Sequence, residues 1–207
     1  MRAPLPLRYR MLANLPPVTR ALLLTNVGVF LLQQLAGQML LQWFALWPPG
    51  TLFQPWQLVT YAFLHNDFLH ILFNMFALYM FGTPLERHWG SRRYTVFYFV
   101  CVVAAALTQL TVSVFQHSGA PTLGASGGIF GLLLAFAMYF PRVRIMLLFP
   151  PIPLPAWAFV TLYALLEVFL GVTGNQAGVA HFAHLGGMLG AAAVILFWRA
   201  TDGMAKR

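Results

Sequence analysis

The sequence predicts an all-α membrane protein that folds as a bundle of six transmembrane helices. Hydrophobic residues make up 60% of the 207 residues and charged residues only 8%, and the mean hydropathy is +0.74. A soluble domain carries about 25% charged residues, so this chain could not cover its surface with polar groups in water. Its apolar residues fall into separate runs. Its basic residues lie near the two ends of the chain and in every second connection between those runs.

Each predicted helix is one apolar run, and a helix needs about 20 such residues to cross roughly 30 Å of hydrocarbon. The first run follows a basic stretch but is longer than the apolar part of a signal peptide, so we expect it to be retained. We expect one membrane domain at 20–199, preceded by a short cytoplasmic segment at 1–19 and followed by a tail at 200–207. The runs predict helices at 20–41, 68–86, 94–115, 126–140, 154–172 and 179–199.

The 12 Lys and Arg residues predict the orientation. They lie around the start of the first helix, in the second and fourth connections, and from the end of the sixth helix onward. Because basic residues favour the cytoplasmic side, both termini are expected in the cytoplasm, and we expect a bacterial inner membrane. The net charge of +8 includes no dense basic run, which argues against a nucleic-acid partner. The lipid bilayer is the partner that the composition indicates.

The chain has one cysteine, Cys101, so an internal disulfide is excluded. No cysteine spacing typical of a metal site occurs. We expect no cofactor and no metal ion.

A serine and a histidine stand out because each lies beside glycines in a predicted helix. Ser126 lies in the stretch GASGG and His184 in the stretch AHLGG. In the predicted orientation the second, fourth and sixth helices all begin on the outer side. Their first turns carry His70 and Asn74, Ser126, and His184 respectively. Helix N-termini offer free N–H groups, which suit a site that stabilises a developing oxyanion.

The fourth predicted helix is short, because 15 residues from Ser126 to Phe140 span only about 22 Å. We therefore expect the stretch 121–125 to dip into the membrane. Such backbone is tolerated only where protein or a water-filled cavity surrounds it. Ser126 should then lie at the floor of a cavity that is open to the outside.

Glycines four residues apart predict how the helices approach, since small residues at this spacing let two backbones pack closely. A close contact of the fourth and sixth helices would bring Ser126 within hydrogen-bond reach of His184. Generic packing is the alternative role of these glycines. The pairs are Gly124 with Gly128, Gly127 with Gly131, and Gly186 with Gly190.

Three motifs in this order resemble those of the rhomboid family of intramembrane serine proteases. They are HILFN at 70–74, GASG at 124–127 and AHLGG at 183–187. The similarity covers about 20–199 and includes Trp56, His65 and the stretch from Glu86 to Ser91.

The resemblance implies that Ser126 is the nucleophile and His184 the general base, in a dyad without an acid. The oxyanion would be held by the Ser126 backbone N–H and by the side chains of His70 and Asn74. Gly124 and Ala125 would belong to the same oxyanion and substrate-binding region. Phe130 would stack under the histidine and, with His181, line the cavity. Transmembrane proteins would be the substrates.

His181 is the competing candidate for the base, because it lies three residues before His184 on the same helix face. His184 has a glycine three residues later, as in the family motif, so we favour His184.

Other polar residues receive simpler interpretations. Asp67 is expected to cap the helix that begins at Phe68. His65 and His117 fall in outer loops and are expected to be solvated. Glu167 is interpreted as a paired, inward-facing structural acid, with the water route as its alternative position. Gln57 replaces an arginine that is frequent in the family, which puts anchoring of that loop at lipid headgroups in doubt.

Two other functions remain open at this point. A catalytically inactive rhomboid-like protein would bind transmembrane helices without cleavage, but it would be expected to lose Ser126 or His184. A proton-coupled transporter would require an inverted repeat or an opposing acid–base pair. Neither the oligomeric state nor the identity of a substrate follows from the sequence.

Overall fold

A computed structural model describes residues 15–147, 151–174 and 180–204, and it is a bundle of helices. Most of the predicted segment 1–19, the last residues of the tail and residue 179 lie outside these ranges. Every predicted helix is present, and α1 is longer at both ends than expected. The helices are α1 Pro17–Phe44, α2 Phe68–Trp89, α3 Ser91–Phe115, α4 Ser126–Tyr139, α5 Ala156–Thr173 and α6 His181–Met204.

Within the described ranges, five helices are long and apolar enough to cross a membrane. The exception is α4, which has 14 residues and would span only about 21 Å. It is also the most deeply packed helix, because nearly all of its side chains from Gly127 to Ala137 are buried. The structure is therefore an all-α membrane bundle built around a short central helix. The count of six spans stays a prediction.

The contact between α4 and α6 is made backbone against backbone. A Cβ on Gly187 would collide with the carbonyl oxygen of Gly127, and a Cβ on Gly131 would lie 3.1 Å from the Gly187 carbonyl oxygen. The predicted close approach of the fourth and sixth helices is therefore confirmed. We call this contact of Gly127, Gly131 and Gly187 the glycine seam.

The pair Gly186 and Gly190 serves a different contact from the one expected. A Cβ on Gly186 would lie 3.0 Å from the Ala104 carbonyl oxygen, and a Cβ on Gly190 would lie 2.7 Å from the Ala104 Cβ. These two glycines thus face α3 rather than α4. The adjacent residues Gly186 and Gly187 point about 100° apart around the helix, so spacing alone could not assign each glycine to its neighbour.

A buried carboxylate, Glu86, joins the first three helices. It accepts hydrogen bonds from the backbone N–H groups of Val18 and Thr19, at 2.9 and 2.7 Å. The hydroxyls of Thr19 and Ser91 donate to it as well, each at 2.7 Å. The first N–H groups of a helix lack partners within the helix, so Glu86 satisfies the start of α1 and complements its dipole.

The connection between α1 and α2 is held by Gln57, whose side chain is fully buried. Its amide donates to the carbonyl oxygens of Trp43 and Leu52 and accepts from the Trp47 N–H. The residue therefore ties the connection together from inside and does not reach outward from it. Leu46 also exchanges two backbone hydrogen bonds with Thr122, both 2.9 Å long, which attaches this connection to the segment before α4.

A short antiparallel ribbon, which the sequence did not predict, lies between α4 and α5. Its strands are β1 Arg144–Met146 and β2 Pro153–Pro155.

Candidate active site

The N-terminal ends of α2, α4 and α6 meet at a cavity of about 560 Å³. This convergence was expected from the orientation of the three helices. The segment before α4 and one turn of α5 complete the walls. The polar and aromatic residues that line the cavity are Tyr61, Asn66, Asp67, His70, Phe73, Asn74, Thr122, Ser126, Phe130, Tyr163 and His184.

Ser126 and His184 are hydrogen-bonded to each other across the glycine seam. The distance between Ser126 Oγ and His184 Nε2 is 2.8 Å. The imidazole lies flat against the Phe130 ring, with the ring centroids 4.1 Å apart and the planes inclined by 4°. This stacking was predicted, and it restricts rotation of the imidazole. A hydroxyl beside a positioned imidazole is the arrangement needed to activate a serine.

His70 presents one edge of its ring to the segment before α4. The Asn66 backbone N–H donates to His70 Nδ1 over 3.3 Å. A neutral imidazole with an accepting Nδ1 carries its proton on Nε2, so Nε2 is a donor. Nε2 and Cε1 would each lie 2.8 Å from a Cβ on Gly124, whose φ of +124° also favours glycine. A glycine at 124 therefore leaves room for this donor.

Asn74 lies one turn further along α2 and also lines the cavity. Its amide donates one hydrogen bond to the His70 carbonyl oxygen at 2.8 Å. A side-chain amide carries two hydrogens, so a second donor remains to be used. Asp67 caps this helix as predicted, because its Oδ1 accepts the His70 backbone N–H at 2.9 Å.

The segment that leads into Ser126 is held by protein on both sides. The Gly124 N–H donates to the Tyr61 carbonyl oxygen at 2.9 Å, and the Tyr61 hydroxyl donates to the Val102 carbonyl oxygen at the same distance. Gly124 and Ala125 are both buried. The backbone around the serine is thus fixed by three different parts of the chain.

The expectation that His65 is solvated is wrong, whereas His117 is exposed as expected. The His65 side chain is 1% exposed, and within the described ranges neither ring nitrogen has a hydrogen-bond partner. Burial, helped by the neighbouring His70, lowers the pKa of His65 to about 3. Two backbone hydrogen bonds to the Gln33 side chain hold this residue against α1, a long-range contact that the local sequence does not reveal.

An acid lies beside the candidate base, where none was expected from the sequence. Glu167 Oε2 is 2.9 Å from His184 Nδ1 and 2.7 Å from His181 Nδ1. All three side chains are buried. Glu167 is thus paired and faces inward, as expected, although its partners were not foreseen.

His181 does not line the cavity, which corrects a second expectation. The described residues around the cavity do not include it, and its side chain is instead directed to Glu167. The ligand atoms of Glu167, His181 and His184 lie within 4.8 Å of one another, so these residue types could hold a divalent ion.

The chain is also similar to known proteins. The family model described as the Rhomboid domain matches residues 52–200.

The chain belongs to the rhomboid family.

The relatives of this rhomboid include proteases from bacteria and proteins from mitochondria. It is 33% identical to Rhomboid protein 1, mitochondrial, of Saccharomyces cerevisiae over 82% of this chain and 49% of that protein. It is 35% identical to Rhomboid protease GlpG of Klebsiella pneumoniae over 58% of this chain and 42% of that protein. For Rhomboid protease GluP of Bacillus subtilis the identity is 31%, over 65% of this chain and 24% of that protein. The chain thus spans about half the length of the mitochondrial relative and less of the bacterial ones.

Glu167 was not predicted as part of the candidate site, although the sequence contains a pattern that indicates it. An acid in an apolar helix is costly unless it is paired, and the following helix begins with two histidines three residues apart. Both features lie near the outer ends of their predicted helices. Together they pointed to a buried acid–histidine cluster.

Proposed function

We propose that this rhomboid is an intramembrane serine endopeptidase. It would cut peptide bonds in or near the transmembrane segments of membrane proteins, with Ser126 as nucleophile and His184 as general base. The observation that carries the proposal is the 2.8 Å hydrogen bond between Ser126 Oγ and His184 Nε2 beside a cavity. The protease names of the bacterial relatives support the same reaction class.

The reaction begins when Ser126 Oγ attacks the scissile carbonyl carbon and its proton passes to His184 Nε2. The carbonyl oxygen becomes an oxyanion. When the C–N bond breaks, the imidazolium returns the proton to the leaving amine, and an acyl-enzyme remains. A water molecule then attacks the ester with His184 again as base, which releases the acid and restores Ser126. The cavity gives that water a route.

Three donors are suited to stabilise the oxyanion. They are the Ser126 backbone N–H at the start of α4, the Nε2–H of His70 and the second amide hydrogen of Asn74. Because such donors are fixed before the reaction, they stabilise charge without reorganising during it. Gly124 contributes by leaving space for the His70 ring.

The proposed setting is an integral membrane domain over 20–199. Both ends would lie in the cytoplasm, and the cavity would open to the outer side. The distribution of Lys and Arg supports this orientation. A bacterial inner membrane is the proposed location, and single-span membrane proteins are the proposed substrates. Two of the relatives are mitochondrial proteins, so a mitochondrial membrane is the alternative location.

An inactive family member that only binds helices is less well supported, because both members of the dyad are retained and hydrogen-bonded. A transporter remains a weaker candidate. The Glu167–histidine cluster supplies the opposing acid–base pair that a transporter would require. However, its hydrogen bonds continue directly to Ser126, which favours hydrolysis.

The test uses purified protein with a fluorophosphonate probe and with a model single-span substrate. We expect the wild type to be labelled and to cut the substrate. Ser126→Ala should do neither, and His184→Ala should lose turnover. Because the two residues act as a unit, the double variant should be no slower than either single one. Substantial turnover by folded Ser126→Ala would refute the mechanism.

A further inference from the structure

Glu167 makes the candidate site more than a serine–histidine pair. Its Oε2 lies 2.9 Å from the Nδ1 of His184, whose Nε2 faces Ser126 Oγ. The three side chains therefore form one continuous hydrogen-bonded chain from α5 through α6 to α4. Glu167 is 4% exposed, so few water molecules can compete for its carboxylate.

The direction of these hydrogen bonds determines the tautomer of the base. An ionised carboxylate can only accept, so Nδ1 of His184 must donate to it. The neutral ring then has no proton on Nε2, and the lone pair of Nε2 faces the serine hydroxyl. This is the tautomer in which His184 can accept the serine proton. The opposite tautomer would direct an N–H at Ser126 and would leave no base.

The same contact matters after proton transfer. His184 then carries a positive charge with a carboxylate oxygen 2.9 Å away. An ion pair in a weakly polar interior is much stronger than in water. The carboxylate would thus stabilise the charge that arises in the transition state.

His181 supplies the second hydrogen bond that a buried carboxylate needs. Its Nδ1 lies 2.7 Å from the same oxygen, Oε2, while its Nε2 has no hydrogen-bond partner among the residues described. A buried charge is tolerated when it is paired and hydrogen-bonded. His181 therefore holds Glu167 in place without reaching the cavity.

We infer that Glu167 is a positioning residue of the proposed protease, which orients His184 and stabilises its protonated form, and that His181 fixes Glu167. The inference rests on the proposed function. It differs from the dyad that the family resemblance implies, because it adds a buried acid to the catalytic arrangement.

The test compares Glu167→Gln and Glu167→Asp with wild type by kcat, KM, melting temperature and the pH dependence of kcat/KM. We expect kcat of Glu167→Gln to fall on the order of 100-fold or more while KM changes little. The acid limb of its pH profile should move to lower pH, because protonated His184 loses its counter-charge. Glu167→Asp should recover part of kcat, and His181→Ala should lose less activity than His184→Ala.

Other titratable groups face this cluster and must be considered when the profile is read. They are Tyr163 on α5 and His70 on α2. His70→Ala and Tyr163→Phe profiles are therefore recorded in parallel. An equal shift of the acid limb on Glu167→Gln in each of these backgrounds assigns the limb to His184.

Glu86→Gln is the matched control, since Glu86 is an equally buried glutamate that does not line the cavity. It should lower the melting temperature without changing kcat per folded molecule or the pH profile. If Glu167→Gln behaves like this control, the positioning role is refuted. Loss of wild-type turnover with a chelator, restored by Zn²⁺, would also overturn it, because the cluster would then hold a metal.

Different results would contradict the proposed function and the role of Glu167. A wild type that neither reacts with the fluorophosphonate nor cuts a substrate contradicts the proposed function itself. A wild type that depends on Ser126, together with a fully active Glu167→Gln variant, contradicts only the role of Glu167.

Discussion

The side chains around Ser126 differ in what their loss should change. In the proposed mechanism Ser126 and His184 would take part in bond making, whereas His70 and Asn74 would act on a charge that exists mainly in the transition state. His65 belongs to neither set of side chains, although its ring centroid lies 4.9 Å from that of His70. Substitutions should therefore separate chemistry, transition-state binding and folding.

His70→Ala and Asn74→Ala should each reduce kcat by about 100-fold to 1,000-fold with little change in KM. Both variants should remain reactive toward small serine probes at a reduced rate. Kinetics and melting temperature are measured on the same preparations. If Asn74→Ala melted far lower but kept a normal kcat per folded molecule, Asn74 would be a packing residue instead.

His65 should make stability depend on pH. Its lowered pKa means that the unfolded chain takes up a proton at about 6.5, whereas the folded protein does so only near 3. Stability from this residue is therefore fully present above pH 6.5 and is lost as the pH falls toward 3. The neighbouring groups whose charge acts on His65 are His70 and Asp67.

The measurement is the melting temperature in detergent between pH 7.5 and pH 4.5, for wild type and His65→Leu. We expect the wild type to lose stability relative to the variant as the pH falls. Parallel curves for the two proteins would contradict this prediction, because they would show that His65 does not make the stability depend on pH.

At the scale of helices, hydropathy and capping determine where each element begins, and contacts distant in sequence determine how it is rotated. The starts at Phe68 and Ser126 were predicted because a capping aspartate and a glycine-rich stretch mark them locally. The acid in α5 and the two histidines of α6 indicate a cluster, but the contacts within it could not be predicted from the local sequence. They depend on the rotation of α5 and α6, which packing of the whole bundle decides.

The Glu86 carboxylate should contribute more to the free energy of unfolding than a surface ion pair does. Glu86→Ala leaves the first N–H groups of α1 without their acceptor and should lower the free energy of unfolding by about 3 kcal/mol. Chemical denaturation in detergent measures this change. Arg93→Ala is the control, because its exposed ion pair with Asp202 is screened by water and should contribute much less. Equal effects of the two substitutions would contradict this stabilising role of Glu86.

At the scale of the molecule, the prediction that has to be tested in a membrane is the side on which each connection lies. Single cysteines at Gly119 and at Val143 lie in connections expected on opposite sides, and both positions are exposed. An impermeant reagent added outside should label position 119 and leave position 143 unlabelled. Cys101 is fully buried and should give little background. Labelling of position 143 from outside would overturn the proposed topology.

The glycine seam has a consequence for how the protein tolerates its surroundings. The separation of Ser126 from His184 depends on main-chain atoms of Gly127 and Gly187 in direct contact, with no rotatable side chain between them. In contrast, α1 and α5 present mostly exposed apolar side chains that can follow the thickness of whatever solvates them. Exchanging lipid for detergent should therefore disturb the outer helices long before it lengthens the hydrogen bond between Ser126 and His184.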